Sequence, residues 1–287
     1  MASRSLPHSI VIGAPKCGTT TLCNALARHP QIFMYPKKET HFFNFYYESR
    51  GLDWYRSLFN GADDGAHLME GTPDYVVRRH LEAAMARIAR DIPDVRLIYM
   101  VREPLARIES HYAQALSNER RFVPIGEAVE RWPDIVETSK YAETLDIVHA
   151  HVPPERVLVL HMEDYRDAPE RLHRAVLDFL GLRSGPEELA ALAEQERTHT
   201  RESLRADSAL LAWLRRSRWY DRVNMLMPRW LIERLKPLVR RKVVADYSWD
   251  EADRARIAAA VEADYARFLA AHPRLSAQDN PAPRAPA

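Results

Sequence analysis

Between Ser9 and Leu22 the chain reads S-I-V-I-G-A-P-K-C-G-T-T-T-L: a short apolar run, a turn punctuated by Gly13, Pro15 and Gly18, then three hydroxyl residues opening a helix. Backbone N–H groups at such a turn, together with the positive end of the helix dipole, make a ready anion site. Lys16 adds a point charge, and Thr19, Thr20 and Thr21 add hydroxyl donors. The arrangement is a phosphate-type cradle. An ATP-type loop requires a Lys directly after the second glycine, where it reaches the β- and γ-phosphates. Gly13 and Gly18 have that spacing, but Thr19 stands in the lysine's place and the cation has moved upstream to Lys16. A nucleotide kinase or NTPase remains an alternative, although its key residue is displaced. A bare strand-to-helix turn is the bland alternative, and it has no use for a Lys and three hydroxyls together. Cys17 also lies in the loop, where a helix N-terminus can lower a thiol pKa.

Two further segments carry chemistry. Val95–Val101 reads as a buried strand that runs into Arg102-Glu103-Pro104 and a helix bearing Arg107, Ser110, His111 and Tyr112. A guanidinium fork fits a phosphate bidentately, and proline suits a helix's first turn. Elsewhere, Lys37-Lys38-Glu39-Thr40-His41-Phe42-Phe43 sets two candidate bases, Glu39 and His41, beside two lysines. Gly51-Leu52-Asp53-Trp54-Tyr55 and Glu70-Gly71-Thr72-Pro73-Asp74-Tyr75 follow. The bland reading of Glu39 is a salt bridge to Lys37 or Lys38.

Taken together, P-K-C-G-T-T-T-L and V-R-E-P-L-A-R-I-E-S-H-Y resemble the two nucleotide motifs of sulfotransferases that use 3′-phosphoadenosine 5′-phosphosulfate (PAPS). K-E-T-H-F-F, G-L-D-W-Y and E-G-T-P-D-Y resemble segments of the heparan-sulfate-type branch and its bacterial relatives, with Gly71 standing where that branch has a Lys. The resemblance runs over roughly residues 8–182. It implies that Lys16 contacts the bridging oxygen and the transferring sulfuryl group. Cys17, Gly18, Thr19, Thr20 and Thr21 would line the 5′-phosphate loop, and Arg102 and Ser110 would grip the 3′-phosphate. It also implies Glu39 as general base with His41 as its rival, 3′-phosphoadenosine 5′-phosphate (PAP) as the product nucleotide, and no metal. A non-catalytic PAPS-binding adaptor is a further alternative.

These residues need a frame that brings them together. Apolar runs at 8–13, 31–35, 66–70, 95–101 and 156–161 predict strands. Helical patterns lie between them, at Thr19–His29, His80–Ile92, Leu105–Asn118 and Lys140–His151, and continue at Pro169–Leu180, Pro186–Glu194 and Asp250–His272. Alternating strands and helices predict an α/β fold. The expected form is a P-loop-like three-layer α/β/α domain with a central parallel sheet of about five strands and extra C-terminal helices. Lys16, Glu39 and Arg102 each follow a predicted strand end, where open α/β sheets bind their ligands.

Lys and Arg number 41 against 40 Asp and Glu, a net charge of +1 that gives no general pull towards nucleic acid. Cys17 and Cys23 are the two thiols. With no long apolar span, they lead to the expectation of a reduced, cytoplasmic protein, and the Ala- and Arg-rich composition to that of a bacterial one. A single domain over 1–272 and a disordered tail over 273–287 are expected. Residues 204–243 hold eleven Lys or Arg against three acids, interleaved with Trp213, Trp219, Tyr220 and Trp230. This segment reads as a lid over the acceptor, as a peripheral membrane contact, or as packed surface helices. The aromatic run Phe42–Tyr55 leans towards an apolar or aromatic-lined acceptor pocket rather than a polyanionic glycan.

Overall fold

The computed structural model describes residues 6–117, 123–183, 185, 205–207, 240–242 and 249–274. Five strands form its centre: β1 (Ser9–Gly13), β2 (Ile32–Met34), β3 (His67–Glu70), β4 (Arg96–Val101) and β5 (Val157–His161). All four pairings are parallel, in the order β2-β3-β1-β4-β5. Strands of a sheet covered on both faces are apolar throughout rather than alternating. Accordingly every residue of β1 is buried, as are the last five of β4.

The helices sit where the 3.6-residue stripes put them: α1 (Thr19–Leu26), α3 (Arg78–Asp91), α4 (Pro104–Ser117), α7 (Tyr141–His151) and α9 (Pro169–Leu180). Four more helices, α2 (Tyr47–Ser57), α5 (Ile125–Arg131), α6 (Asp134–Glu137) and α8 (Met162–Asp167), fill the connections. The last three are four to seven residues long and α2 is broken at Gly51, so none carries a continuous stripe that stands out in the sequence. The helix predicted at Pro186–Glu194 lies outside the described residues.

The long helix α10 (Glu251–Ala271) opens on Asp250, whose side chain accepts the Ala252 N–H at 2.8 Å. Its buried stripe is Ile257, Val261 and Phe268. Phe268 takes the core position and meets Tyr141 with ring centroids 5.4 Å apart, which leaves the neighbouring Leu269 half-buried. Asp264 of the same helix accepts the first N–H groups of α7, from Ala142 at 3.0 Å and Glu143 at 2.9 Å. This cap arrives from 122 residues away.

Most of the basic segment 204–243 lies outside the described residues. Its ends, β6 (Arg205–Asp207) and β7 (Arg240–Lys242), pair antiparallel, and β6 packs beside α4. Of the predicted tail, Arg274 is described: its guanidinium bonds Asp164 at 3.2 Å and Asp167 at 3.3 Å. No helix among the described residues is long and apolar enough to cross a membrane.

Strand order fixes where a ligand can enter. The chain leaves β1 towards β2 on one side and leaves β4 towards β5 on the other. A crevice opens where the connections diverge, at the carboxyl ends of β1 and β4.

Candidate functional site

Four segments meet at the carboxyl edge of the sheet: the turn after β1, the turns after β2 and β3, and the start of α4 after β4. Ala14 N–H bonds Met100 C=O at 2.7 Å, tying the first turn to β4. Gly18 then takes φ 83°, a left-handed conformation glycine adopts without penalty, and α1 begins at Thr19. The N–H groups of Thr19 and Thr20 have no partner within the helix, as at any helix start. Lys16, half-buried, sits in this loop. Burial, followed by the charges of Arg102 and Arg107, presses its pKa below the usual lysine value.

Arg107 was not given a role from the sequence, yet it is the largest fully buried side chain. Its Nε donates to Pro15 C=O at 3.1 Å. Nη1 reaches Ile135 C=O and Ser139 Oγ, both at 2.8 Å, and Nη2 meets His111 Nδ1 at 2.8 Å. None of these partners is anionic. A buried cation satisfied by neutral oxygens keeps most of its field for whatever lies in the loop it braces. His111 is accordingly a neutral imidazole: burial, then Arg107, Lys16 and Arg79, push it down to about 3.

Arg102 follows β4 directly, and Tyr141 locks its backbone, donating to Arg102 C=O at 2.7 Å and accepting its N–H at 3.4 Å. Tyr141 is fully buried and serves the frame rather than the lining. Glu103 caps α4, accepting the N–H groups of Leu105 at 3.0 Å and Ala106 at 2.7 Å. Ser110 is half-buried three residues after Arg107, on the same helix face.

Cys17 departs from the expected lining. Its Sγ faces inward at 4.0 Å from Tyr141 Oη, and its N–H is taken by Ala14 C=O at 3.2 Å. Burial lifts its thiol to about 11 and that of Cys23 to about 12, outweighing any helix-dipole effect. Neither is a ready nucleophile.

The turn after β2 carries the base candidates. Glu39 bonds Lys38 Nζ at 2.9 Å and lies 3.3 Å from His41 Nε2. Burial alone would raise the Glu39 pKa; the His41 hydrogen bond and the Lys38 charge bring it down to about 2. Burial alone would lower His41, but Glu39, with Asp74 and Glu70, raises it. Thr40, between the two, is held from below. Its N–H donates to Thr72 Oγ1 at 3.0 Å and its hydroxyl to Glu70 at 2.8 Å. Glu70 is fully buried and accepts three more hydroxyls, from Thr72 at 2.6 Å, Tyr75 at 2.8 Å and Tyr55 at 3.0 Å. Four donors on one carboxylate turn a buried charge into a joint between β3 and the Glu39 turn. Tyr55 reaches it because Gly51, at φ 72°, breaks α2 and swings Trp54 and Tyr55 inward.

The expected aromatic pocket is mostly core. Phe42, Phe43 and Tyr55 are fully buried, with Phe42 stacked on Tyr55 at 4.4 Å. Phe45 is the exposed member, at 53%, with its ring 5.5 Å from His41. Asn44, between them in sequence, has both polar side-chain atoms buried without a partner.

Lys38 bridges the two sides by hydrogen bonds, as its Nζ also donates to Thr19 Oγ1 at 3.3 Å. Lys16 and Arg102, with Arg107 buried behind the loop, lie on one side of the sheet's carboxyl edge, and Glu39 and His41 lie on the other. A cationic, helix-opened cradle fits a phosphorylated nucleotide, and a carboxylate across from it fits proton removal from an acceptor.

Known proteins carry the same frame. Human heparan sulfate glucosamine 3-O-sulfotransferase 3B1 is 36% identical over 191 residues, covering 63% of this chain and 47% of that protein. Mouse bifunctional heparan sulfate N-deacetylase/N-sulfotransferase 3 is 30% identical over 200 residues, 62% of this chain and 22% of that protein. The chain thus spans about half or less of the length of these relatives. Among solved structures, a sulfotransferase from Alicyclobacillus acidocaldarius matches with a TM-score of 0.54 at 24% identity, covering 67% of this chain and 93% of that one. The family model for the sulfotransferase domain matches residues 6–208. On that match, this chain belongs to the sulfotransferase domain family.

Proposed function

We propose that the chain moves a sulfuryl group from PAPS to a hydroxyl, or less readily an amine, of a glycan or small-molecule acceptor. The observation that carries this reading is the trio Lys16, Arg102 and Arg107 at the diverging ends of β1 and β4, opposed by Glu39. PAPS, when bound, supplies the sulfuryl group and a phosphate that leaves with the electron pair. Thr19, Thr20 and the N–H groups of the first turn of α1 hold the 5′-phosphate end. Arg102 and Ser110 hold the 3′-phosphate, so the nucleotide is oriented far from the reacting bond. Lys16 neutralises charge that grows on the bridging oxygen. Glu39 takes the proton from the acceptor, and His41 keeps Glu39 in place. The acceptor rests a flat apolar face on Phe45, the exposed ring beside His41. The 3-O- and N-sulfotransferase names of the relatives support hydroxyl and amine acceptors respectively.

Calorimetric titration with PAP, beside ADP and ATP and without metal, tests the reading. PAP binding in the micromolar range is expected, with ADP and ATP at least tenfold weaker. Arg102→Ala removes charge-assisted bonds, each of roughly 1.5–3 kcal/mol, and brings PAP down to the ADP level. Preference for ATP, or no nucleotide binding, would overturn the assignment in favour of a kinase or a protein without a nucleotide.

A further inference from the structure

Lys38 bonds both halves of the site, and the mechanism above gives it no task. Its backbone sits at φ 67°, a conformation that L side chains rarely adopt. The turn accepts this and thereby aims the side chain across the crevice. Its stem runs over Gly71, where an added Cβ would lie 3.5 Å from Lys38 Cε and only 2.6 Å from Cys23 Sγ. Gly71 N–H also bonds Lys38 C=O at 2.9 Å. Glycine at 71 leaves room for the Cys23 thiol, and Lys38 Cε lies above it at ordinary contact distance. The ammonium, on a side chain 13% exposed, bonds Glu39 Oε1 at 2.9 Å and Thr19 Oγ1 at 3.3 Å. Those two oxygens belong to the proton acceptor and to the opening of the phosphate loop, and the reacting sulfur must pass between them.

We infer that Lys38 is a catalytic residue whose ammonium holds a non-bridging oxygen of the sulfuryl group while it passes from donor to acceptor. The inference rests on the sulfuryl-transfer reading. In the step, the acceptor oxygen forms a bond to sulfur as the bond from sulfur to the phosphate oxygen breaks. The electron pair stays on the phosphate, and the acceptor's proton goes to Glu39. An ammonium has three donors. Two are used by Glu39 and Thr19, and among the described residues the third has no partner, so it can serve the sulfuryl oxygen. The same contact makes Glu39 a better base. In the free protein Lys38 helps hold its pKa near 2, and an ammonium whose charge is shared with an anionic sulfuryl oxygen lowers Glu39 less, even with their hydrogen bond kept.

Binding separates this role from that of a plain salt bridge. In the transfer-inactive Glu39→Gln background, adding Lys38→Met is expected to weaken PAPS at least tenfold by calorimetry. PAP, which lacks the sulfuryl group, should change less than threefold. In the otherwise native protein, Lys38→Met should lower kcat about 100-fold, the range for losing one transition-state donor, with Lys38→Arg recovering part of it. Lys38→Gln, with a polar stem, repeats the measurement should Lys38→Met melt early. Equal loss of PAPS and PAP, or a kcat within threefold of native, would overturn the role and leave Lys38 as a tether for Glu39. Failure of the native protein to bind PAP at all would instead strike the underlying reading, and this inference with it.

Discussion

At the ends of β1 and β4 the site is made of cations held by backbone carbonyls; at the ends of β2 and β3 it is made of carboxylates held by hydroxyls. Arg107 is buried against Pro15 and Ile135 carbonyls, and Tyr141 pins Arg102 by its main chain. Glu70 is buried under Thr40, Tyr55, Thr72 and Tyr75. Each side uses neutral dipoles to hold one buried anchor, Arg107 or Glu70, while Glu39 itself is paired with Lys38 and His41. The difference lies in what moves. A donor nucleotide needs fixed positive charge, whereas proton transfer needs a group whose proton affinity can change. Glu39 and His41 are accordingly the coupled pair, half-buried like Lys16, whereas Arg107 is fully buried behind the loop.

The sharpest way to break this division is to remove one group from each side and read rate and affinity separately. Lys16→Met should lower kcat/KM by about 10³-fold, since a cation at the leaving oxygen acts mainly in the transition state. Glu39→Gln should lower kcat by about 10²–10⁴-fold, the usual worth of a positioned base, and leave PAP affinity within about twofold. Steady-state kinetics with calorimetry on the same preparations checks both. If Glu39→Gln weakened PAP as strongly as it slowed transfer, the two sides would not be separate parts.

How legible each side was follows the same divide. The cradle is contiguous in the chain: Gly18, Lys16 and Thr19–Thr21 declare an anion site by type and spacing alone, and all five central strands fell where their apolar runs put them. Arg107 was invisible because three of its four partners stand 28 to 92 residues away, and a buried guanidinium on a helix looks like any surface arginine in sequence. Phe42 and Phe43 beside Glu39 suggested a pocket wall, but the Gly51 break brings Tyr55 against them and makes them core. Lys38 could not be told from Lys37 until its left-handed backbone and its bonds to Glu39 and Thr19 were seen. Local motifs are readable where one segment holds all the groups; sites assembled by long-range hydrogen bonds are not.

A smaller effect sharpens the hydroxyl half of the comparison. Glu70→Gln keeps the shape but sets an amide N–H₂ where an acceptor of hydroxyl bonds stood. Leaving such buried partners unmatched costs about 2 kcal/mol, which lowers Tm by roughly 4–8 °C in a chain of this size. Because Thr40 and Thr72 connect Glu70 to the Glu39 turn, kcat should fall with it while PAP affinity holds. A drop in Tm with unchanged kcat would mean that the joint supports the fold but not the base.

The smallest effect is the pH dependence of the Glu39–His41 pair. His41 binds its proton more tightly in the folded protein than its ordinary value of 6.5, so its contribution to stability is complete below that pH. It is lost as pH rises through the higher folded value. Glu39 behaves in the opposite sense: its contribution is present above 4.5 and lost as pH falls towards about 2. With the two side chains 26% and 36% exposed, solvent keeps the coupling under about 1 kcal/mol. The native protein should therefore melt a few degrees above His41→Gln at about pH 5.5, and the gap should close by about pH 9. In a Glu39→Gln background the pH dependence of the gap should shrink, because the main carboxylate that raises His41 is gone and Asp74 and Glu70 remain. Melting curves of the four proteins at the two pH values decide it. A gap that stays constant in the native background would show that His41 is held by packing against Phe45 rather than by the charge of Glu39, and would take the titrating pair out of the base side of the site.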